Sequence, residues 1–145
     1  MSITLCKTYF RNIGLERGMK EHKNPFNWQD IPSNAFDRMF HIESSSFPSV
    51  KQNQIDLEME IPVTVRLFLR GFNQVYEADE KIKKEIEAYF TLALKVENRL
   101  SEPNYIKNVR LLSIFIEPFA QSNDNWIIGR IEFTVKFIKI IESEA

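Results

Sequence analysis

Cysteine is almost missing from this chain: one residue, Cys6, stands in 145. That excludes an intrachain disulfide framework and any cysteine-rich zinc site. It also fits a reducing compartment. Glycine is scarce as well. The four, at 14, 18, 71 and 129, make neither a phosphate-cradling loop nor a dinucleotide fingerprint, and no Gly-x-Ser-x-Gly elbow exists. No sign of charge prevails. Nineteen Lys and Arg face 20 Asp and Glu, a formal net charge of -1, which excludes a general polyanion binder. No apolar run approaches the roughly 20 residues that cross a bilayer. The opening residues lack an apolar stretch followed by a small-residue cleavage site. The expectation is a soluble chain, made inside the cell and not attached to membrane.

What is present suffices for an ordinary core. The chain is 43% hydrophobic and 12% aromatic, and a domain of about 150 residues buries about 68–70% of its unfolded surface. Residues 1–145 read as a single domain. Charge is unevenly spread along it. Up to residue 24, Lys7, Arg11, Arg17, Lys20 and Lys23 outnumber Glu16 and Glu21. From 25 to 62, Asp30, Asp37, Glu43, Asp56, Glu58 and Glu60 outnumber Arg38 and Lys51. Two readings stand: solvated faces, or complementary surfaces for head-to-tail contacts between copies.

Periodicity supplies the elements. Ile3, Cys6, Tyr9, Phe10 and Ile13 recur at helical spacing over residues 2–19, with Gly14 or Gly18 to end the helix. Residues 25–33 read as an ordered aromatic loop, 39–43 as a short strand, and 44–54 as a polar loop tipped by Phe47 and Val50. The strongest signal is a period of two. Leu57, Met59, Ile61, Val63, Val65, Leu67 and Leu69 alternate with Glu58, Glu60, Thr64 and Arg66, continuing to Arg70. Pro62, lacking an N–H, marks that strand as an edge or a bulge. A helix over 76–97 carries Ile82, Ile86, Tyr89, Phe90, Ala93 and Leu94 on one stripe. Strands over 109–117 and 126–141 follow, with a slip of phase at Ile138 that suggests a bulge or a second covered face. The order α-β-β-α-β-β predicts an α+β fold: an antiparallel, mainly four-stranded sheet with two helices on one face.

Chemistry is harder to find. His41-Ile42-Glu43 matches half of a zinc deaminase signature and lacks the cysteine half. Cys6 lies on an apolar helical stripe and reads as core. Glu58 and Glu60 share a strand face about 7 Å apart, a spacing that suits paired carboxylates but marks no pocket. Asn123-Asp124-Asn125 lacks the glycine and distant glutamate of a calcium loop. Arg66, Arg70, Arg130 and Lys136, with Phe68 near them, raise a single-strand nucleic-acid face. Glu58, Glu60 and Glu132 dilute it. These residues predict no catalytic group, metal site or cofactor.

Several phrases, in order, resemble tail terminator proteins of long-tailed bacteriophages. They are Phe26-Asn27-Trp28-Gln29-Asp30-Ile31-Pro32-Ser33, Phe40-His41-Ile42-Glu43, and Ile61-Pro62-Val63-Thr64-Val65-Arg66-Leu67-Phe68. Ile106-Lys107-Asn108-Val109-Arg110-Leu111, Ser122-Asn123-Asp124-Asn125 and Glu132-Phe133-Thr134-Val135-Lys136 continue the series. The resemblance implies an α+β unit that forms a homo-oligomeric, six-membered ring on a completed tail tube, without enzymatic activity. Implied partners are further copies, the tube protein and a head completion or neck protein. The genome passes through the ring without specific nucleic-acid binding. The implied location is the virion, after assembly in the host cytoplasm. On that reading Phe47 and Val50 meet the tube or neck, while Glu58, Glu60, Arg66 and Arg70 pair between subunits. Another head–tail connector, or a small nucleic-acid-binding α+β domain, is the alternative.

Overall fold

A computed structural model describes residues 2–22, 38–44, 49–52, 56–70, 75–96, 106–120 and 126–140. The chain order is α1 (Ser2–Glu16), β1 (Lys20–Glu21), β2 (Arg38–Glu43), β3 (Ser49–Gln52), β4 (Asp56–Leu69), α2 (Val75–Ala93), β5 (Ile106–Ala120) and β6 (Trp126–Ile140). The fold is α+β. Its sheet runs β1-β2-β4-β6-β5, with β3 also paired to β4.

The alternation in β4 does what its period demands. Ile61, Val63, Val65 and Leu67 lie opposite Val135, Phe133, Ile131 and Gly129 of β6, and Phe40 and Ile42 of β2 lie opposite Leu67 and Val65. These side chains share one face and are buried. Both helices cover that face. Phe133 sits at its centre, 5.0 Å from the Phe10 ring of α1 and 6.3 Å from the Tyr89 ring of α2. Each such buried side chain contributes about 1.5–3 kcal/mol.

Close approach is secured by glycine. A Cβ on Gly14 of α1 would lie 2.5 Å from the Phe40 ring, and one on Gly129 of β6 would lie 2.6 Å from Ile86 of α2. The helices are also tied to each other. Tyr9 Oη donates to the Ala93 carbonyl at 2.6 Å, and Tyr89 Oη donates to the Phe10 carbonyl at 2.8 Å. The first bond satisfies a last-turn carbonyl that α2 cannot satisfy internally.

Several sequence expectations need correction. Among the described residues the sheet has six strands, not four, and is mixed, because β1 runs parallel to β2 with Lys20 beside Met39 and Glu21 beside Phe40. Within the expected 44–54 loop, residues 49–52 form β3, held by antiparallel pairing of Ser49 with Glu60 through Gln52 with Leu57. The helices are shorter than expected, ending at Glu16 and Ala93. At α1, Gly18 takes φ 75, its N–H bonding to the Leu15 carbonyl while Met19 N–H reaches Gly14. These two bonds form a Schellman cap that stops the helix.

Pro62 lies neither at a sheet edge nor at a bulge. Strand β4 is interior, with β6 on one side and β2 and β3 sharing the other. The pairing with β2 stops at Thr64 and that with β3 starts at Glu60. Pro62 falls in the gap, and its carbonyl accepts the Ser44 hydroxyl there at 2.9 Å. A residue's N–H and C=O point the same way along a strand, so the missing N–H faces a place where no ladder bond is needed. The register irregularities belong to β5, at Lys107, Leu112 and residues 118–119, whereas β6 stays in register with β4 through Ile140.

Candidate interaction surfaces

The face away from the helices is built in cross-strand rows. His41, Arg66, Arg130 and Phe115 form one row, and Glu43, Thr64, Glu132 and Ser113 form the next. Most of its charges are matched within the chain. Arg66 Nη1 donates to Glu43 Oε2 at 2.5 Å and holds that carboxyl below the usual carboxylate range. Lys136 pairs with Glu58, which raises the ammonium above its ordinary value. Arg130 lies 3.5 Å from Glu132 and 4.8 Å above the Phe115 ring.

This pairing redistributes the sequence candidates. Arg66 and Glu58 have partners in their own chain. Glu60 is exposed, opposite Lys136. Val50 pairs with Met59 through β3, and Phe47 lies outside the described residues. Arg70 is elsewhere, in the cleft described below. Phe68 shares the open face yet has no exposed surface, with the His22 ring edge-on at 6.0 Å. A buried ring offers no base-stacking platform, so Phe68 cannot play the part considered for it, and the exposed aromatic of this face is Phe115 beside Arg130.

Other reactive groups are sequestered. Cys6 is buried, and burial pushes its thiol up to about 12. His41 Nδ1 donates to the His22 carbonyl at 2.7 Å. Neither ring's Nε2 has a hydrogen-bond partner among the described residues, and burial lowers the His22 pKa. Among the described residues, no three His, Cys, Asp or Glu side chains gather as a metal site. No described helix is long and apolar enough to cross a membrane.

Two surfaces stand out instead. The first is β5, a strand of 15 residues at one end of the sheet path. Leu112, Ile114 and Phe115 are 53%, 43% and 53% exposed. Leu112 occupies a register irregularity. Ile114 and Phe115 point to opposite faces, opposite Ile131 and Arg130. Apolar groups thus flank the outer edge of a long strand, an arrangement suited to pairing with another chain.

The second is a cleft of about 420 Å³ lined by Arg17, Arg38, Leu69, Arg70, Lys81, Lys84 and Glu85. The end of α1, the start of β2 and the end of β4 bring three arginines together. Lys81, Lys84 and Glu85, at spacings of three and four, share one face of α2. Glu85 is buried and organises the floor. Arg17 Nε and Nη2 donate to its two carboxylate oxygens at 3.1 Å each, and Arg38 Nη2 donates to Oε1 at 2.7 Å. The hydrogen bonds that Arg17 donates to Glu85 raise its own pKa. Arg38 also reaches the Arg17 carbonyl at 3.0 Å.

Neither a protein-family model nor a curated protein sequence matches the chain. Sequence reasoning singled out Arg70 but missed the rest of the cleft, whose members are dispersed and carry no motif. For β5 a signal existed: the unbroken run Ile114-Phe115-Ile116 interrupts alternation, and adjacent residues of a strand cannot share one buried face.

Proposed function

We propose that this chain is a structural assembly protein of the tail-terminator type, closing as a homo-oligomeric ring on a phage tail tube and offering a surface to a neck protein. The observation that carries this reading is the β5 edge, with Leu112, Ile114 and Phe115 exposed along it. Burying about 25 cal/mol per Å² of apolar surface there favours contact with a second copy. A ring needs a heterologous contact, in which β5 of one copy meets a different surface of the next. Further support comes from where the resembling phrases fall. Phe40–Glu43, Ile61–Phe68, Ile106–Leu111 and Glu132–Lys136 lie on β2, β4, β5 and β6, contiguous strands of one sheet.

Arg66 and Glu58 are each paired within the chain, so this reading assigns the subunit contact to β5. Negative-stain electron microscopy of the concentrated protein, alone and mixed with tail tubes, tests the reading. The expected images are rings with a central hole, or capped tubes. Ile114→Lys with Phe115→Lys should abolish both while leaving the far-ultraviolet circular dichroism unchanged. Particles that neither close into rings nor cap tubes would overturn the proposal.

A further inference from the structure

Charge converges on the cleft between α1, α2 and the end of the sheet far beyond what the chain average suggests. Among the described residues, five cationic side chains, Arg17, Arg38, Arg70, Lys81 and Lys84, line it with one carboxylate, Glu85. Glu85 is engaged by Arg17 and Arg38 together, so this triad alone retains one positive charge. Lys81 and Lys84 add two further positive charges, and Arg70 lies beside them. A chain of net charge -1 has thus concentrated cations at one place.

The geometry does more than collect charge. Glu85, with its side chain only 10% exposed, holds two guanidiniums in fixed orientation at the cleft floor. Each guanidinium has five N–H donors, and the bonds to Glu85 use only some of them. Planar forks of this kind match the oxygens of phosphate, and lysine ammoniums add adaptable point charges around them. Lys81 and Lys84 are exposed on α2, where a ligand arriving from solvent meets them. A volume of about 420 Å³ falls in the range of about 300–1,000 Å³ usual for ligand sites. A lone carboxylate ligand brings one negative charge to several cations. A run of phosphates matches them.

We propose that this cleft binds consecutive phosphate groups, carried by a small polyphosphate compound or by a nucleic-acid backbone. The site is independent of the ring reading, because it uses none of the exposed residues of β5. Glu85 serves as a positioning residue, and Arg70, Lys81 and Lys84 contact the ligand.

Calorimetric titration of the full chain with inorganic tripolyphosphate at low salt tests the proposal. Saturable binding is expected, weakening as salt rises because ion release contributes to it. Lys81→Gln with Lys84→Gln should lower the affinity about tenfold or more, the effect of losing two phosphate contacts. Lys83→Gln is the control: Lys83 lies on the same helix but pairs with Asp79 at 2.9 Å and does not line the cleft. Its affinity should stay within about twofold of the parent. If the double variant fails to fold by circular dichroism, Arg70→Ala replaces it, with the same loss expected. Displacement of tripolyphosphate by oligothymidylate would assign the phosphates to a nucleic-acid backbone; binding without displacement would assign them to a small soluble compound. Absence of saturable binding, equal weakening by Lys83→Gln, or equally tight binding of polyglutamate would overturn the proposal.

Discussion

Gly129 shows how one absent methyl group sets the depth at which a helix can sit. Ile82 and Ile86 of α2 rest on the strand where a side chain would otherwise stand, at 2.6–3.1 Å from the position of a Cβ. Alanine at Gly129 must displace α2 or force the two isoleucines from their rotamers, a cost of about 1–3 kcal/mol in a packed core. Urea denaturation of Gly129→Ala should show a midpoint lowered accordingly, with an unchanged slope. His22 carries a different liability. Its pKa lies below the ordinary 6.5, first because of burial and then because His41 lies nearby. The unfolded chain takes up the proton more readily, so stability is fully present above about 6.5 and falls as pH drops from there through the lowered folded value. His22→Gln should flatten that part of a stability–pH curve. The Glu43 contribution, lost only as pH falls from 4.5 through its lowered carboxyl value, should remain.

At the scale of elements, endings are set by local chemistry and pairings by distant partners. Gly18 is the sharpest ending. Its φ of 75 places it where side chains with a Cβ are strained. No atom lies within 4 Å of an added Cβ, so the backbone alone resists substitution. Gly18→Ala should therefore lose about 1 kcal/mol, measurable as a lower thermal midpoint without a change in oligomer state. The same distinction explains what sequence could show. The period of two in β4 and β6, and the apolar stripes of both helices, follow from which neighbours face a core. They were legible because each residue reports its own side. Strand β3 was not, since Ser49, Lys51 and Gln52 carry no apolar alternation and are held by backbone pairing to β4. Strand β1, only two residues long, offers no period at all. Pro62 was a true signal with two possible causes. The structure supplied a third, a gap between two strands on the same side.

For the whole molecule, separation in sequence hides what lies together in space. The cleft joins residues 17, 38, 69, 70, 81, 84 and 85, and no spacing rule links the end of one helix to the middle of another. Arg70 was legible as a charged strand-end residue, but its four cationic companions were not. The α+β class was legible, because helix and strand patterns survive without knowledge of pairing. The parallel pairing of β1 with β2 is a tertiary choice that neither strand announces. Binding also has a testable global effect. If tripolyphosphate occupies the cleft, it draws α1, β2, β4 and α2 toward the folded state, and the thermal midpoint should rise with ligand concentration. Lys81→Gln with Lys84→Gln should blunt that rise.

The placement of β6 has a consequence in time. It lies between β4 and β5, yet follows both along the chain. While the polypeptide is being made, the 14-residue β4 and the 15-residue β5 must wait for their shared neighbour. Phe10 and Tyr89 likewise wait for Phe133, the ring on which both helices close. Such long-range pairings slow folding and leave apolar surface uncovered. Translation therefore reaches Ile140 before the centre of the sheet can be completed, and a ribosome pausing ahead of Trp126 would hold a nascent chain with sticky flanks and no middle.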